Sequence, residues 1–233
     1  MEKLFNKHET LFCVLLIVIY VLLNSYCIQN FGVKDYRSVI INTIFSSLLI
    51  TLIVLLKKVK YYGLRKVTDS KKYLNFIPLL LIGTVNLWNG ISINNSKSEI
   101  ICHILTMINV GFIEEIIFRG FLFKMMSKSN VKSAIIVSSI TFGIGHIVNL
   151  LNGADLIPTL MQICYAISLG YLFVIIFYKS KSLIPCIITH VLINSLSIFN
   201  TINKTSYVQV ILLIIITLLY AFYINKNSDS KAI

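Results

Sequence analysis

The sequence predicts an all-α, polytopic helical membrane protein with about eight transmembrane helices. Hydrophobic residues make up 57% of the 233-residue chain and charged residues only 13%, and the mean hydropathy is +0.84. Soluble domains have a far more polar composition. Long apolar stretches are joined by short connections, which leave no room for a folded soluble domain. We therefore expect a single membrane domain over residues 1–233.

Eight stretches approach the roughly 20 apolar residues that a helix needs to cross a bilayer. They lie near 11–28, 38–56, 73–93, 99–123, 133–151, 156–178, 183–199 and 206–224. The first stretch follows charged residues, as a secretory signal does, but LLNSYCIQN offers no small-x-small cleavage site. We predict that this stretch is retained as the first transmembrane helix.

The basic residues divide unequally between the two sides of the predicted helices. Sixteen of the 21 Lys and Arg residues fall in the termini and in three loops that lie on one side, whereas Lys34, Arg37, Lys97 and Lys204 lie on the other. The positive-inside rule then places both termini in the cytoplasm. This placement requires an even number of transmembrane helices, in agreement with eight. The basic loop KKVKYYGLRKVTDSKK at 57–72 is predicted to contact anionic lipid headgroups. No nucleic-acid-binding motif surrounds it, and we expect no nucleic-acid partner.

Few ionisable residues occur in the middle of the predicted helices, where such groups are costly and usually functional. They are Glu114, Glu115 and Arg119 on the fourth, His146 on the fifth and His190 on the seventh, where Asn194 follows one turn later. Residues four apart share a helix face, so Glu115 can pair with Arg119 while Glu114 points elsewhere. His103, near the outer end of the fourth helix, is interpreted as a packing or headgroup-facing residue.

The depth of these residues predicts that they meet in one buried site. Counted from the nearest basic residues at about 1.5 Å per residue, Glu114, His146, His190 and Asn194 all lie roughly 14 to 21 Å from the cytoplasmic edge. Small residues on the same helices would allow close helix packing around such a site. These glycines are Gly111 and Gly120 on the fourth helix and Gly143 and Gly145 on the fifth.

The residue types favour hydrolysis of a peptide bond. A buried glutamate beside a histidine can take a proton from water and return it to a leaving group. A second histidine and an asparagine on one helix face offer hydrogen-bond donors for a developing oxyanion. The alternatives are a purely structural ion pair and histidines that only join helices. A proton-coupled transporter would also use buried acids and histidines, but the chain lacks the repeated, broken helices of such proteins.

Three motifs resemble those of the CPBP family, the CAAX protease and bacteriocin-processing endopeptidases, also called the Abi family. GFIEEIIFRG fits E-E-x-x-x-R, FGIGH fits F-x-x-x-H and HVLIN fits H-x-x-x-N, in that order within residues 99–199. The resemblance implies that Glu114 and His146 activate water, that His190 and Asn194 hold the oxyanion, and that Glu115 and Arg119 form a supporting ion pair. It implies an intramembrane endopeptidase of the CAAX-prenyl-protease type.

The resemblance also bears on cofactors, partners and location. We expect no metal, because H-E-x-x-H is absent and asparagine is a poor zinc ligand; zinc at Glu114, His146 and His190 is the alternative. The expected partner is a peptide or small membrane-protein substrate, in bacteriocin or signal-peptide processing or in self-immunity, at a bacterial plasma membrane. A non-proteolytic scaffold or immunity protein that acts by binding is the competing hypothesis. Neither the substrate nor the oligomeric state follows from the sequence.

Overall fold

The described part of the chain is a bundle of eight α-helices. The computed structural model describes residues 5, 7–67, 76–201 and 207–227. Six of the helices in this part are long and apolar enough to cross a membrane. They are α1 (Glu9–Asn30), α2 (Tyr36–Leu55), α4 (Lys97–Ser127), α5 (Val131–Leu151), α6 (Leu156–Ser180) and α8 (Tyr207–Asn227). The shorter helices are α3 (Ile77–Gly83) and α7 (Ile184–Phe199). The all-α, multi-pass prediction is confirmed.

The third predicted membrane helix differs most from its expected form. The stretch 73–93 begins outside the described residues, and its described part is the seven-residue α3 followed by a 3-10 turn at Val85–Leu87. In this turn Asn86 donates to the backbone carbonyl of Ile193 at 2.6 Å. The described part is therefore too short to cross a bilayer as one helix. Eight crossings and cytoplasmic termini both stay predictions.

Helices α4 and α6 form the centre of the bundle. Half of the most apolar window of α4 and 56% of that of α6 are buried, compared with 22% for α1. The peripheral helices expose large apolar side chains, among them Leu22, Leu48 and Leu219. An outward-facing apolar surface of this kind suits contact with lipid rather than water. The part of α4 that carries Glu114, Glu115 and Arg119 is thus buried among other helices.

The basic loops meet at one end of the bundle, which we call the basic end. The backbone N–H of Leu183 donates to the carbonyl of Gly63 at 2.9 Å, and the Ser182 hydroxyl bonds the carbonyl of Arg65. Lys128, after α4, forms an ion pair with Glu9 at the start of α1. These contacts bring together the beginning of the chain and the loops that follow α2, α4 and α6.

The remaining loops meet at the opposite end. Lys34, between α1 and α2, donates to the side chain of Asn95, which precedes α4. The backbone N–H of Ser92 donates to the carbonyl of Phe199 at 2.8 Å, and Ser25 bonds the side chain of Asn152. Helix α7 accordingly runs from the basic end at Leu183 to the opposite end at Phe199. The loops thus divide into two groups, one at each end of the bundle.

Two of the four predicted close-packing glycines allow helices to touch. A Cβ atom at Gly143 would lie 2.3 Å from Cγ1 and 2.8 Å from the backbone nitrogen of Ile167. One at Gly111 would lie 2.8 Å from a methyl carbon of Val191. Glycine at these positions lets α5 approach α6 and lets α4 approach α7. The prediction does not hold for Gly120, where contacts would be ordinary, or for Gly145, where no described atom lies within 4 Å.

Candidate active site

The fourth helix changes its winding where the predicted site begins. It is α-helical from Lys97 to Glu115, π-helical over Ile116–Phe123 and α-helical again over Lys124–Ser127. A π-helix is rare, occurs mostly as a single turn, and is frequent at functional sites. All eight residues of this π-helix are buried. Glu114 and Glu115 are the last residues before the winding changes.

Glu115 and Arg119 form a fully buried ion pair. Nη1 of Arg119 donates to Oε1 of Glu115 at 3.1 Å, and neither side chain is exposed. The guanidinium carbon of Arg119 lies 4.1 Å from the ring centroid of Phe142 and 5.6 Å from that of Phe173. The two rings present their π faces to the cation, which is attractive when water is excluded. The acid and the aromatic rings together compensate the buried positive charge.

His190 lies between the two glutamates. Its Nδ1 is 2.9 Å from Oε1 of Glu115, and its Nε2 is 3.4 Å from Oε2 of Glu114. A carboxylate only accepts hydrogen bonds, so Nδ1 carries the proton in the contact with Glu115. This contact fixes the ring and directs Nε2 toward Glu114. The structure thus links the predicted supporting pair to a predicted catalytic histidine.

Glu114 is held by a tyrosine that the sequence analysis did not identify. The Tyr20 hydroxyl, on α1, donates to Oε1 of Glu114 at 2.6 Å. The other oxygen, Oε2, is buried and has no hydrogen-bond partner among the described residues. A buried acceptor without a partner is rare and calls for a functional explanation. One oxygen of Glu114 is therefore anchored, and the other is available.

A cavity of about 760 Å³ lies beside Glu114. Glu114, His146 and Asn194 all line it, and so do Tyr20 and His103. His190 is not among the lining residues; it lies behind Glu114, in contact with both acids. Three of the four predicted catalytic residues thus line one cavity. The fourth, His190, is in contact with one of them, Glu114.

His146 reaches the cavity from a break in α5. The helix is α-helical to Ile144, forms a 3-10 turn at Gly145–Ile147, and ends at Leu151. In this tighter turn the His146 ring lies edge-on to Phe142, with centroids 5.6 Å apart. His146 lies within electrostatic range of Glu114, but no hydrogen bond joins them. Glu114 and His146, which the resemblance implies activate water together, thus both line the cavity without a direct hydrogen bond.

Asn194 and His103 are connected through the backbone of α7. Nε2 of His103 lies 3.0 Å from the carbonyl oxygen of Asn194, and the Ser197 hydroxyl donates to the same oxygen at 2.7 Å. His103 is buried, in agreement with its interpretation as a packing residue, and it also lines the cavity. It lies eleven residues before Glu114, three helical turns away on the same face of α4. That spacing was the signal available in the sequence.

Zinc at Glu114, His146 and His190 is the alternative to a metal-free site. Zinc ligands in proteins lie about 2.0 to 2.3 Å from one ion in tetrahedral geometry. Nε2 of His190 is directed at Glu114, whereas His146 is turned toward Phe142 and the cavity. Across the residues that the structure describes, no three His, Cys, Asp or Glu side chains are grouped for metal binding. Both the metal-free site and the zinc alternative at Glu114, His146 and His190 stay predictions.

Comparison with known protein families supports the resemblance seen in the motifs. Residues 95–196 match the model of the family described as Type II CAAX prenyl endopeptidase Rce1-like. Neither the curated proteins nor the solved structures gave a significant match. The matched segment begins just before α4, ends within α7 and contains all six of the predicted site residues. Over residues 95–196 the chain is therefore similar to CAAX-type endopeptidases, the family that its three motifs resemble.

Proposed function

We propose that the protein is a glutamate-dependent intramembrane endopeptidase that hydrolyses a peptide bond without a metal ion. The observation that carries the proposal is the carboxylate of Glu114, a residue that lines the cavity: one oxygen is anchored by Tyr20, and the other is buried without a hydrogen bond, 3.4 Å from Nε2 of His190. A general base needs such a free acceptor, in a place where water and substrate can approach together. The family of the matched segment supports the same reaction class.

In the proposed reaction, a water molecule lies in the gap between Glu114 and His146. Glu114 takes a proton from this water as the water oxygen bonds to the carbonyl carbon of the substrate. The carbonyl oxygen becomes an oxyanion, to which the Asn194 amide donates a hydrogen bond from the cavity wall. The proton then passes from Glu114 to the amide nitrogen as the C–N bond breaks. A carboxylic acid and an amine leave, and Glu114 is regenerated.

The position of His190 favours a role different from the one that the resemblance implies. The resemblance implies that His190 holds the oxyanion together with Asn194, but Nε2 of His190 is directed at Glu114 rather than into the cavity. In the proposed reaction this nitrogen lies where it can share the proton that Glu114 carries. Glu115 orients the ring, and Arg119 neutralises Glu115. Removing His190 should therefore act on the same step as removing Glu114.

The proposed substrate is a peptide or small membrane-associated protein in a bacterial plasma membrane, processed in bacteriocin or signal-peptide maturation or in self-immunity. Anionic lipid headgroups are the proposed partners of the basic end. Burial, and then repulsion by Arg65, lower the pKa of Lys181 at this end. A negatively charged headgroup nearby would stabilise the protonated lysine.

The proposal is tested by comparing the peptides that the native host releases when it carries the wild type, Glu114→Gln or His146→Ala. Glu99→Gln is the matched control, because Glu99 lies on the same helix outside the cavity and glutamine also completes a capping box. We expect one peptide to be processed with the wild type and the control but to stay uncut with the other two variants. Membranes carrying the wild type should retain cleavage after treatment with a chelator.

Membrane levels of all variants are measured first, so that loss of protein is not mistaken for loss of activity. If the peptide profiles coincide while a bacteriocin-resistance phenotype persists, the protein acts by binding and the proposal is wrong. If cleavage occurs but stops with the chelator, the protease assignment stands and the metal-free mechanism is wrong.

A further inference from the structure

We propose that the substrate reaches Glu114 from the end opposite the basic end. This inference rests on the proposed function and adds the route and class of substrate: a chain segment in extended form that enters from the extracytoplasmic face. It is carried by the direction of the cavity, the packing on its far side and the distribution of charge.

The cavity extends from the site to the opposite end. Glu114 and Phe118 lie at its inner limit, whereas Lys34, Asn94 and Asn149 lie at its outer limit. Lys34 belongs to the loop between α1 and α2, and Asn149 is the second residue of the short last segment of α5. Both positions are at the end away from the basic loops. The cavity therefore gives Glu114 an approach from that side.

On the other side, the bundle is closed by aromatic packing. The π-helical turn that runs from Glu115 toward the basic end is buried throughout. Phe121 packs against Tyr62 with centroids 4.5 Å apart and against Phe12 at 5.5 Å, and Phe123 packs against Phe177 at 5.9 Å. A peptide arriving from the basic end would have to displace this dense core, which would cost far more free energy than entering an open cavity.

Charge indicates which compartment the open end faces. The basic loops at 56–67 and at 181–183, together with Lys128, mark the basic end as cytoplasmic by the positive-inside rule. The opposite end then faces the outside of the cell. A substrate that enters there is an exported peptide, or the outer segment of a membrane protein.

The cavity mouth is rich in neutral amides. Asn24, Asn86, Asn94, Asn149 and Gln162 all line the cavity. Such side chains both donate and accept hydrogen bonds, as the groups of an extended peptide backbone do. Lys34, the cation at the mouth, already donates to Asn95. The chemistry of the entrance therefore suits an extended segment with uncharged polar side chains.

The route is tested by thiol labelling of the full-length protein in cells. Asn149→Cys places a thiol inside the cavity, and Lys132→Cys places one on an exposed position after the basic end of α4. A charged, membrane-impermeant thiol reagent is applied to intact cells and to inverted vesicles, and labelling is read as a mass shift. The protein without either substitution reports the background from Cys102 and Cys164, which are not fully buried.

We expect Asn149→Cys to be labelled in intact cells and Lys132→Cys only in inverted vesicles. Labelling of Asn149→Cys from the cytoplasmic side alone, or from neither side, would overturn the proposed route. Labelling does not depend on cleavage. If the labelling pattern is as expected but no substrate is cut, the route stands and the proposed function fails.

A separate contact assigns a positioning role to Tyr20, which lies outside the segment that matches the family. We infer that the hydroxyl of Tyr20 orients Glu114 for proton transfer, because it fixes Oε1 at 2.6 Å and leaves Oε2 without a hydrogen bond. The contact joins α1 to α4 across 94 positions of sequence. Helix α1 would thus complete the active site rather than only pack against it.

Tyr20→Phe tests this role, with Tyr62→Phe as the matched control. Both tyrosines are buried, but the Tyr62 hydroxyl lies in the aromatic packing near the basic end and has no partner among the described residues. A hydrogen bond to a charged group is strong enough that its loss should lower kcat roughly ten-fold or more. We expect unchanged KM for Tyr20→Phe and wild-type kinetics for Tyr62→Phe. An unchanged kcat, or an equal loss in both variants, would contradict the inference.

Discussion

Glu114→Gln is expected to lower kcat by about 100- to 10,000-fold, the usual contribution of a general base, without changing the melting temperature. Glutamine has the shape of glutamate, and its amide oxygen can still accept the hydrogen bond from Tyr20. It cannot take a proton from water. The measurement uses purified protein in detergent, with the host peptide as substrate and a thermal melt of the same sample.

Glu115→Gln is the sharpest control, because the same substitution is made one residue further along the chain. Glu115 is fully buried and bonds both Arg119 and His190. Removing its charge leaves the guanidinium without a counter-ion, so we expect a lower melting temperature. Any loss of activity should follow the loss of folded protein and the orientation of His190. If Glu114→Gln lowers stability and Glu115→Gln does not, the roles of the two acids are reversed.

Composition and periodicity could predict the fold class because long apolar stretches indicate helices that lie in lipid rather than in water. The six long helices coincide with apolar stretches found in the sequence. The short α3 could not be predicted in the same way. Its stretch is apolar enough to cross a membrane, but the helix ends at Gly83, and Asn86 in the turn that follows bonds the carbonyl of Ile193. A contact between residues 107 positions apart leaves no local pattern in the sequence.

The motif residues were predictable for a different reason: polar groups in the middle of apolar helices need a partner or a function. The sequence placed Glu115 and Arg119 four residues apart, and they are paired in the structure. It could not show that His190 contacts both acids or that His146 stands apart from Glu114. These depend on the 3-10 turn in α5 and on the rotation of α7 against α4. Small changes in winding decide which side chains meet.

Tyr20 was missed because nothing in the motifs refers to α1. A signal did exist: Tyr20 and Asn24 are four residues apart in an apolar helix, and both line the cavity. A pair of polar residues on one face of a membrane helix indicates a polar surface opposite it. The direction of the cavity had no comparable signal. It follows from which ends of several helices are closed by aromatic packing, and this requires the assembled bundle.

Arg119→Met is expected to lower the free energy of unfolding by about 3 to 5 kcal/mol, the typical effect of removing one partner of a buried ion pair. Methionine approximates the stem of arginine but carries no charge, so Glu115 would be left ionised without a counter-ion in the core. The contacts of the guanidinium with Phe142 and Phe173 would also be lost. Reversible chemical denaturation of the protein in mixed detergent measures this change in the free energy of unfolding.

The exposed ion pair of Arg37 and Asp35 provides the matched control. Arg37 donates to Asp35 at 2.8 Å, but its side chain is about half exposed. Arg37→Met should leave stability unchanged within error, because water screens the pair and hydrates each charge alone. The double variant Arg119→Met with Glu115→Gln should recover part of the loss, since it removes the unpaired acid as well. If the double variant loses more unfolding free energy than the two single variants lose together, the ion pair does not explain why these charges are retained in the membrane.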